Sequence, residues 1–560
     1  MAISGAQALL DMLFESGVRY LFGNPGTTEL PLMDALVLDR RIQYVLALQE
    51  VPVVAMADGY AQASRTLGVA NLHISCGLGN GMGMLYNAYR AGTPLLVTAG
   101  QQDRRLMTSE PILWSDMVSV VRPWTKWATE VDRLDDLPSL LRRAIQAALT
   151  PPTGPVFLSL PIDLQMEMAE LDVAAAPRLD TRVRPPAEAL RRAAELLAEA
   201  KNPAILSGSR VVEADAVGQV VALAEQLGAP VFTESGTTHG RLAFPADHAL
   251  YGQALPLWAP EVCERLAEFD VLLVVGMDLL QLYVYFEPAL AVPRHVRLIH
   301  LDQDPRQLGK NFPTEVGLIG DPQAGLTELS ELVTSLMPPK AVSAARRRGE
   351  SRETAHLERR RALWHRAEQE VVQRPLTPLG LMSSLARILP ENVTVVEEAI
   401  TTTNTYFERL GALHTTSGYF AHRGWALGWG IGCALGVKLA WPDRPLLAVL
   451  GEGAAMYGIQ GLWTAAHYRI PVTFVVANNA QYHILKVGSQ QLRLPAAMRG
   501  EFEALDLSQP EIDMVGLAKS LGVEAQRVGD PDELAERVSK SLAGDVPRLF
   551  DVPIQRTAPT

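Results

Sequence analysis

At 560 residues the chain is too long for one hydrophobic core, and a domain size of about 150 residues predicts three or four domains, with three as the working division. Its 48% hydrophobic and 20% charged residues, with 43 Gly and 38 Pro, describe a globular, turn-rich protein rather than a fibrous or disordered one. A net charge of −12 argues against a nucleic-acid surface, and three scattered cysteines without CxxC spacing argue against a disulfide or cysteine–metal framework.

The N-terminus has early acidic residues and helical apolar spacing rather than a basic region followed by an apolar run, and no stretch of about 18 apolar residues suggests a membrane span. The expectation is a cytoplasmic protein that binds neither nucleic acid nor membrane. Across residues 1–173, apolar runs at 43–48, 69–74, 94–99 and 155–160 alternate with amphipathic helical patterns, which predicts a parallel α/β sheet. Two glycine-rich stretches, Gly23 to Thr27 and Gly77 to Gly81, are expected as loops at strand ends, where such sheets bind ligands.

A Pro- and Arg-containing connection leads to a second α/β pattern over 187–337, with strands expected at 203–207, 230–233, 271–275 and 296–301. The charged stretch 338–374 follows. Its basic runs, Arg346 to Arg348 and Arg359 to Arg361, are interleaved with Glu350, Glu353 and Glu358, as on a solvated helical linker. A third α/β unit occupies 375–560, with strands expected at 393–397, 445–450 and 471–477.

In that third unit a strand runs directly into Gly451-Glu452-Gly453-Ala454, and the next strand ends at Asn478-Asn479, 27 positions after Glu452. An acid at one strand end and an amide at the next can converge on a hard cation such as Mg²⁺, while the glycines let backbone N–H groups approach phosphate. The segment resembles the signature of thiamine-diphosphate enzymes, Gly-Asp-Gly followed by nearly thirty residues and Asn-Asn. Glu452 stands where Asp is usual, and Ala454 where Ser or Thr is usual. The resemblance implies that Glu452, the Asn479 side chain and the Gln481 carbonyl hold Mg²⁺. It further implies that Gly451, Gly453, Ala454, Tyr482, His483 and Ile484 border the thiamine diphosphate.

The first unit extends the likeness through Ala47-Leu48-Gln49-Glu50 and Ala57-Asp58-Gly59-Tyr60-Ala61. The matching glutamate of the family bonds N1′ of the cofactor's aminopyrimidine, so Glu50 is the first candidate catalytic residue. Within the 2-oxo acid decarboxylase superfamily the chain is most similar to the benzoylformate decarboxylase group, through Phe22 to Thr27, Leu46 to Ser64, Asn71 to His73, Pro94 to Gln102 and Leu462 to Ala466. This implies an α/β fold of three doubly wound parallel-sheet domains: pyrimidine-binding (1–173), middle (187–337) and diphosphate-binding (375–560).

On the same basis Thr27 is placed near a substrate carboxylate, and His73 is placed as an imidazole suited to proton transfer near neutral pH. Leu427 is expected to prop the cofactor in a bent form, the Trp425 carbonyl to accept from its amino group, and Thr401 or Thr402 to line its pocket. Leu113, Trp114 and Leu485 are expected as apolar substrate walls. Tyr283 occupies the place of a second active-site histidine, and a phenol relays protons poorly at neutral pH. Slow protonation there would favour carboligation.

Gly488 replaces a family aromatic, and His483, Lys486 and Arg423 add polarity. The implied reaction is decarboxylation of a 2-oxo acid, benzoylformate-like but larger or more polar, to an aldehyde and CO₂. The alternatives are a carboligase or lyase resembling acetolactate synthase or 2-hydroxyacyl-CoA lyase, and a non-catalytic homologue. A nicotinamide dehydrogenase is disfavoured, because Gly77, Gly79, Gly81 and Gly83 alternate by twos and do not form GxGxxG. The middle unit's strand end at Asp302 is a place where an adenosine could bind. The family resemblance also implies self-association, as a homodimer or homotetramer.

Overall fold

Strands covered by helices on both faces must be apolar throughout, and the runs expected from the sequence become the buried centres of three sheets. The computed structural model describes residues 2–174, 179–234, 240–282 and 290–556. The first sheet contains β2 (Tyr20–Gly23), β3 (Gln43–Leu46), β4 (Gly68–Leu72), β5 (Leu95–Gln101), β6 (Trp127–Glu130) and β7 (Val156–Pro161), in the order β3-β2-β4-β5-β7-β6. A short antiparallel pair, β1 (Ile3–Ser4) with β8 (Met168–Ala169), ties the two ends of this unit together.

The middle sheet runs β11-β10-β9-β12-β13-β14, from β9 (Pro203–Ser207), β10 (Val231–Thr233), β11 (Tyr251–Ala254), β12 (Val271–Val275), β13 (Arg297–Asp302) and β14 (Val316–Ile319). The third runs β16-β15-β17-β18-β20-β19, from β15 (Thr394–Glu398), β16 (Tyr419–Ala421), β17 (Leu446–Gly451), β18 (Thr473–Asn478), β19 (Glu524–Arg527) and β20 (Arg548–Pro553). All pairings in the three six-stranded sheets are parallel. The first and third sheets share one strand order, and the middle sheet has the order of a dinucleotide-binding fold.

Successive residues of a strand point to opposite faces, and here they enter different cores. In β17, Leu447 and Val449 join the core shared with the middle sheet, whereas Ala448 and Leu450 join the core shared with the first sheet. The second of these cores closes around two helices, α1 (Glu50–Ser64) and, in the third unit, Trp429–Ala440. They approach so closely that a Cβ at Gly59 would crowd Cys433 and one at Gly436 would overlap the Met56 carbonyl. Only glycine permits that separation.

Two expectations change. Residues Gly77 to Gly81 do not form a loop, for they lie within α2 (Ile74–Ala91). Their small size serves close packing instead: a Cβ on Gly77 would sit 3.1 Å from the Glu50 carboxylate, and one on Gly81 3.2 Å from Val54. The charged linker is also more than a solvated helix. It is α3 (Pro339–Glu370), and one stripe of it docks: Arg348 donates to the carbonyls of Lys201 and Leu227, Arg352 pairs with Glu268, Arg360 donates to Ala246 O, and the Trp364 indole donates to Leu410 O. Arginine stems supply apolar area while their forks satisfy backbone carbonyls, that of Leu227 at a helix end among them.

Candidate active site

The loop after β2 and the start of α1 build the first half of the site. Gln49 caps α1 through its side chain, which places Glu50 as the first helical residue. Glu50 is only 5% exposed, and each carboxylate oxygen accepts one amide N–H: Oε1 from Asn24 at 3.0 Å and Oε2 from Asn80 at 3.0 Å. A buried carboxylate is tolerated where such donors satisfy it.

Next to it, His73 follows β4 and takes the N-cap position of α2, with Nδ1 2.9 Å from Glu29 Oε2 and 3.3 Å from Thr28 Oγ1. Glu29 is itself buried, accepting from Gly100 N at 2.8 Å, Gly26 N at 2.9 Å and the Thr28 hydroxyl at 2.8 Å. The His73 ring occupies the space a Cβ on Gly26 would need. This fixes the ring between loop and helix. Thr27 is exposed at the tip of the same loop, and its neighbour Thr28 is the one that turns inward. Leu113, at φ 71°, and Trp114 are half-buried, and the Leu113 carbonyl accepts from Ser75, two residues beyond His73.

The second half belongs to the third sheet. Glu452 follows β17 and is buried, which raises its carboxyl above the usual carboxylate range. Its Oε1 accepts from Gln481 N at 3.1 Å and its Oε2 from Asn479 N at 3.4 Å, so the two strand ends converge. The Asn479 side-chain oxygen accepts from Gln481 N at 3.1 Å, and Ala480 takes φ 51° to make that tight turn. A Cβ on Gly453 would stand 2.8 Å from the Tyr482 ring, so the glycine brings that ring against the backbone after Glu452.

His483, Ile484 and Leu485 follow on α5 (His483–Gln491); burial lowers the pKa of His483, whose Nε2 is buried without a partner. The Gln481 side chain lies 3.3 Å from His483 Nδ1 and accepts from Lys486 at 2.9 Å. The donors gathered here, a carboxylate and a carboxamide oxygen, are of the type a hard cation takes.

A third stretch completes the cleft. Thr401 and Thr402 lie in the turn Ile400–Thr403 after β15, with Thr402 buried. Trp425 takes φ 64°, a conformation costly for a bulky residue, and Leu427 is half-buried just before α4 (Trp429–Ala440). The Glu398 carboxylate, at the end of β15, accepts the N–H groups of Gly428 at 2.9 Å, Trp429 at 3.0 Å and Gly430 at 2.9 Å. Burial pushes that carboxyl up to about 7 against the pull of those three donors.

Some sequence-derived residues are placed elsewhere. Arg423 turns away from the cleft and lies 3.5 Å from Glu234 of the middle unit, with Glu213 at 4.0 Å. Lys486 is engaged by Asp506 at 2.7 Å. Asp302, at the strand end considered for an adenosine, is fully buried and pairs with Arg210 at 2.8 Å. Tyr283 lies outside the described residues. Asn24 and Asn80 fall within the two glycine-rich stretches expected to bind a ligand without being singled out there, and Glu29 and Glu398 were missed. Glu29 three positions after Gly26 carries only the signal of a capping residue, and Glu398 was hidden in an apolar strand.

The chain matches the thiamine pyrophosphate enzyme family in three parts: the N-terminal TPP binding domain over residues 3–119, the central domain over 190–329 and the C-terminal TPP binding domain over 400–552. It is 34% identical over 555 residues to benzoylformate decarboxylase of Pseudomonas aeruginosa, covering 99% of both chains. It is 26% identical to acetolactate synthase isozyme 3 large subunit of Escherichia coli, covering 96% of this chain and 92% of that one. Among solved structures, the thiamine diphosphate-dependent 4-hydroxybenzoylformate decarboxylase of Rhodococcus jostii superimposes with a TM-score of 0.86 at 29% identity, covering 99% of this chain and 100% of that one. Benzoylformate decarboxylase of Polynucleobacter necessarius gives 0.87 at 28%, covering 99% of both.

Proposed function

Since the chain belongs to the thiamine pyrophosphate enzyme family, we propose that it is a thiamine-diphosphate- and Mg²⁺-dependent carboxy-lyase, converting a 2-oxo acid to an aldehyde and CO₂ without oxidation. The observation that carries this reading is the buried Glu50, with each oxygen held by an amide and the His73–Glu29 pair beside it. When bound, the cofactor supplies a carbon nucleophile for the 2-oxo carbonyl and a sink for the electrons that decarboxylation releases.

The residues of this chain take the remaining tasks. Glu50 bonds the aminopyrimidine. Glu452, Asn479 and the Gln481 carbonyl hold Mg²⁺, an assignment their oxygen chemistry suits. Gly451, Gly453 and Ala454 let the backbone meet the diphosphate, with Tyr482, His483 and Ile484 on the far side, and Thr401, Thr402, Trp425 and Leu427 line the rest. Thr27 binds the substrate carboxylate, His73 moves a proton near the reacting carbon, and Tyr283 donates a hydrogen bond from the middle unit. Leu113, Trp114 and Leu485 form the apolar wall. Gly488 in place of a family aromatic supports a substrate larger than benzoylformate, and a Cβ there would meet nothing within 4 Å. The more polar substrate loses support, because Arg423 and Lys486 are already paired.

Each half-site takes its carboxylate's partners from its own unit, and a second copy supplies the facing half in the homodimer or homotetramer we propose. Among the described residues no helix is long and apolar enough to cross a membrane.

The test is incubation of metal-free protein with thiamine diphosphate, Mg²⁺ and a panel of aromatic and aliphatic 2-oxo acids, measuring CO₂ and aldehyde. Glu50→Gln is the control, and full activity in that variant refutes the mechanism. The acetolactate synthase likeness favours a second reading, carboligation. A condensed hydroxyketone in place of free aldehyde would establish it, and cofactor binding with no product from any substrate would indicate a non-catalytic homologue.

A further inference from the structure

Helix α2 links two half-sites of one chain, the Glu50 half-site of the first unit and the Trp425–Leu427 half-site of the third, each of which faces a half-site of a second copy in the proposed assembly. Asn80 on it donates to Glu50, and Asn87 lies seven positions later, about two turns or 10 Å along the axis. Asn87 is 1% exposed and belongs to the first unit, yet it grips the third: its Nδ2 donates to the Ala426 carbonyl at 2.8 Å, and its Oδ1 accepts from Ala426 N at 3.0 Å. Both backbone groups of Ala426 are thus satisfied by one side chain, as a neighbouring strand would satisfy them. The Nδ2 also lies 3.7 Å from Met84 Sδ in its own helix. A Cβ on Gly424 would overlap Asn87 Oδ1, so the loop is shaped to receive this amide.

On the other side of Leu427, Glu398 holds Gly428 to Gly430. Leu427 is therefore fixed between two residues that are each anchored from a different element. Buried amide pairs of this kind cost most when one member is removed.

We propose that Asn87 is a positioning residue that sets the height of the Trp425–Leu427 loop in the third unit's half-site, anchoring it to the helix that holds Glu50 in the first unit's half-site of the same chain. The inference rests on the thiamine-diphosphate reading for its ligand, though the anchoring of the loop stands independently. Asn87→Ala leaves the Ala426 pair unsatisfied. Asn87→Asp sets an anion against the Ala426 carbonyl and is the more severe change. Gly424→Ala disturbs the same contact from the opposite side.

The full-length protein and these three variants would be titrated, in the presence of Mg²⁺, with thiamine diphosphate and with inorganic diphosphate. The expected result is a rise in Kd for thiamine diphosphate of about tenfold in Asn87→Ala and more in Asn87→Asp, with diphosphate affinity unchanged within about twofold. An unchanged thiamine diphosphate Kd, or equal weakening of both ligands, overturns the proposal. Hydrogen exchange on ligand-free protein gives the independent arm. Amides 424–430 should exchange at least tenfold faster in all three variants while those of β17 and β18 do not change; no acceleration overturns the anchoring itself. If the unmodified protein fails to bind thiamine diphosphate while the exchange result holds, it is the cofactor reading that fails.

Discussion

Glu50 and Glu452 are both buried carboxylates at helix starts after strands, but they are held in opposite ways. Glu50 is gripped by side-chain amides from two other segments, Asn24 and Asn80, while Glu452 accepts backbone N–H groups from the loop that carries its fellow candidate ligands. The first arrangement presets a geometry that need not change when a ligand arrives. The second ties the carboxylate to the backbone of the loop that bears the other candidate ligands, and each oxygen, accepting one N–H, keeps a lone pair that a cation could take. An acid meant for a ring nitrogen is oriented by side chains from separate segments, and an acid meant for a metal is tied to the loop of its fellow ligands.

The largest expected effect separates the two directly. Glu50→Gln should lower kcat by about 10³-fold and leave the cofactor Kd within threefold, whereas Glu452→Gln should raise the Mg²⁺-supported cofactor Kd by about 100-fold. Stopped assays beside equilibrium titrations measure both, and identical patterns would break the distinction.

The next is a pH effect on the third-domain side. His422 is buried with both ring nitrogens unpartnered, and burial lowers its pKa from 6.5 to about 4. The unfolded chain takes up a proton below pH 6.5 that the folded chain refuses until about 4, so its contribution to stability, whole above 6.5, is lost as pH falls through that window. His422→Leu should remove about 3 kcal/mol of that loss, seen as a flatter urea midpoint between pH 7 and 4.

Smaller still, Glu29→Gln should reduce kcat about tenfold with little change in KM, because it weakens the hold on His73 without touching the substrate. A pure KM effect would place Glu29 in binding instead. The smallest change tests the contrast from outside: Arg360→Ala should cost about 1 kcal/mol of stability through its contact to Ala246 O and leave cofactor affinity untouched.

Much of the fold was legible because helix-covered strands must be apolar along their length. Val271–Val275 and Leu446–Gly451 could hardly be read otherwise. The polar edge strands Trp127–Glu130 and Glu524–Arg527 lacked that signal, and Arg548–Pro553 was missed although it is internal. Gly77 to Gly81 misled because glycine signals a turn locally, while its role here is to admit Glu50 and Val54 across a helix face. The docking of α3 was readable in principle, since Arg348, Arg352, His356, Arg360 and Trp364 recur every fourth position.

Within the site, the convergence of Glu452 with Asn479 followed from strand-end logic, and Glu50 stood out through resemblance. Asn87 carried no local signal, because its partner Ala426 lies 339 positions away. Arg423 was misassigned because a cation near the cleft in sequence can face the neighbouring domain in space.

The Gly59, Gly432 and Gly436 contacts between α1 and α4 also limit how such a chain can be recombined. Transplanting the first domain of a relative onto this third domain would succeed only if the incoming helix were equally free of protruding atoms at the crossing. Exchange between lineages should therefore move the first and third domains together, and an incoming middle sheet, which among the described residues shares an apolar core with the third domain and none with the first, would have to match the third alone.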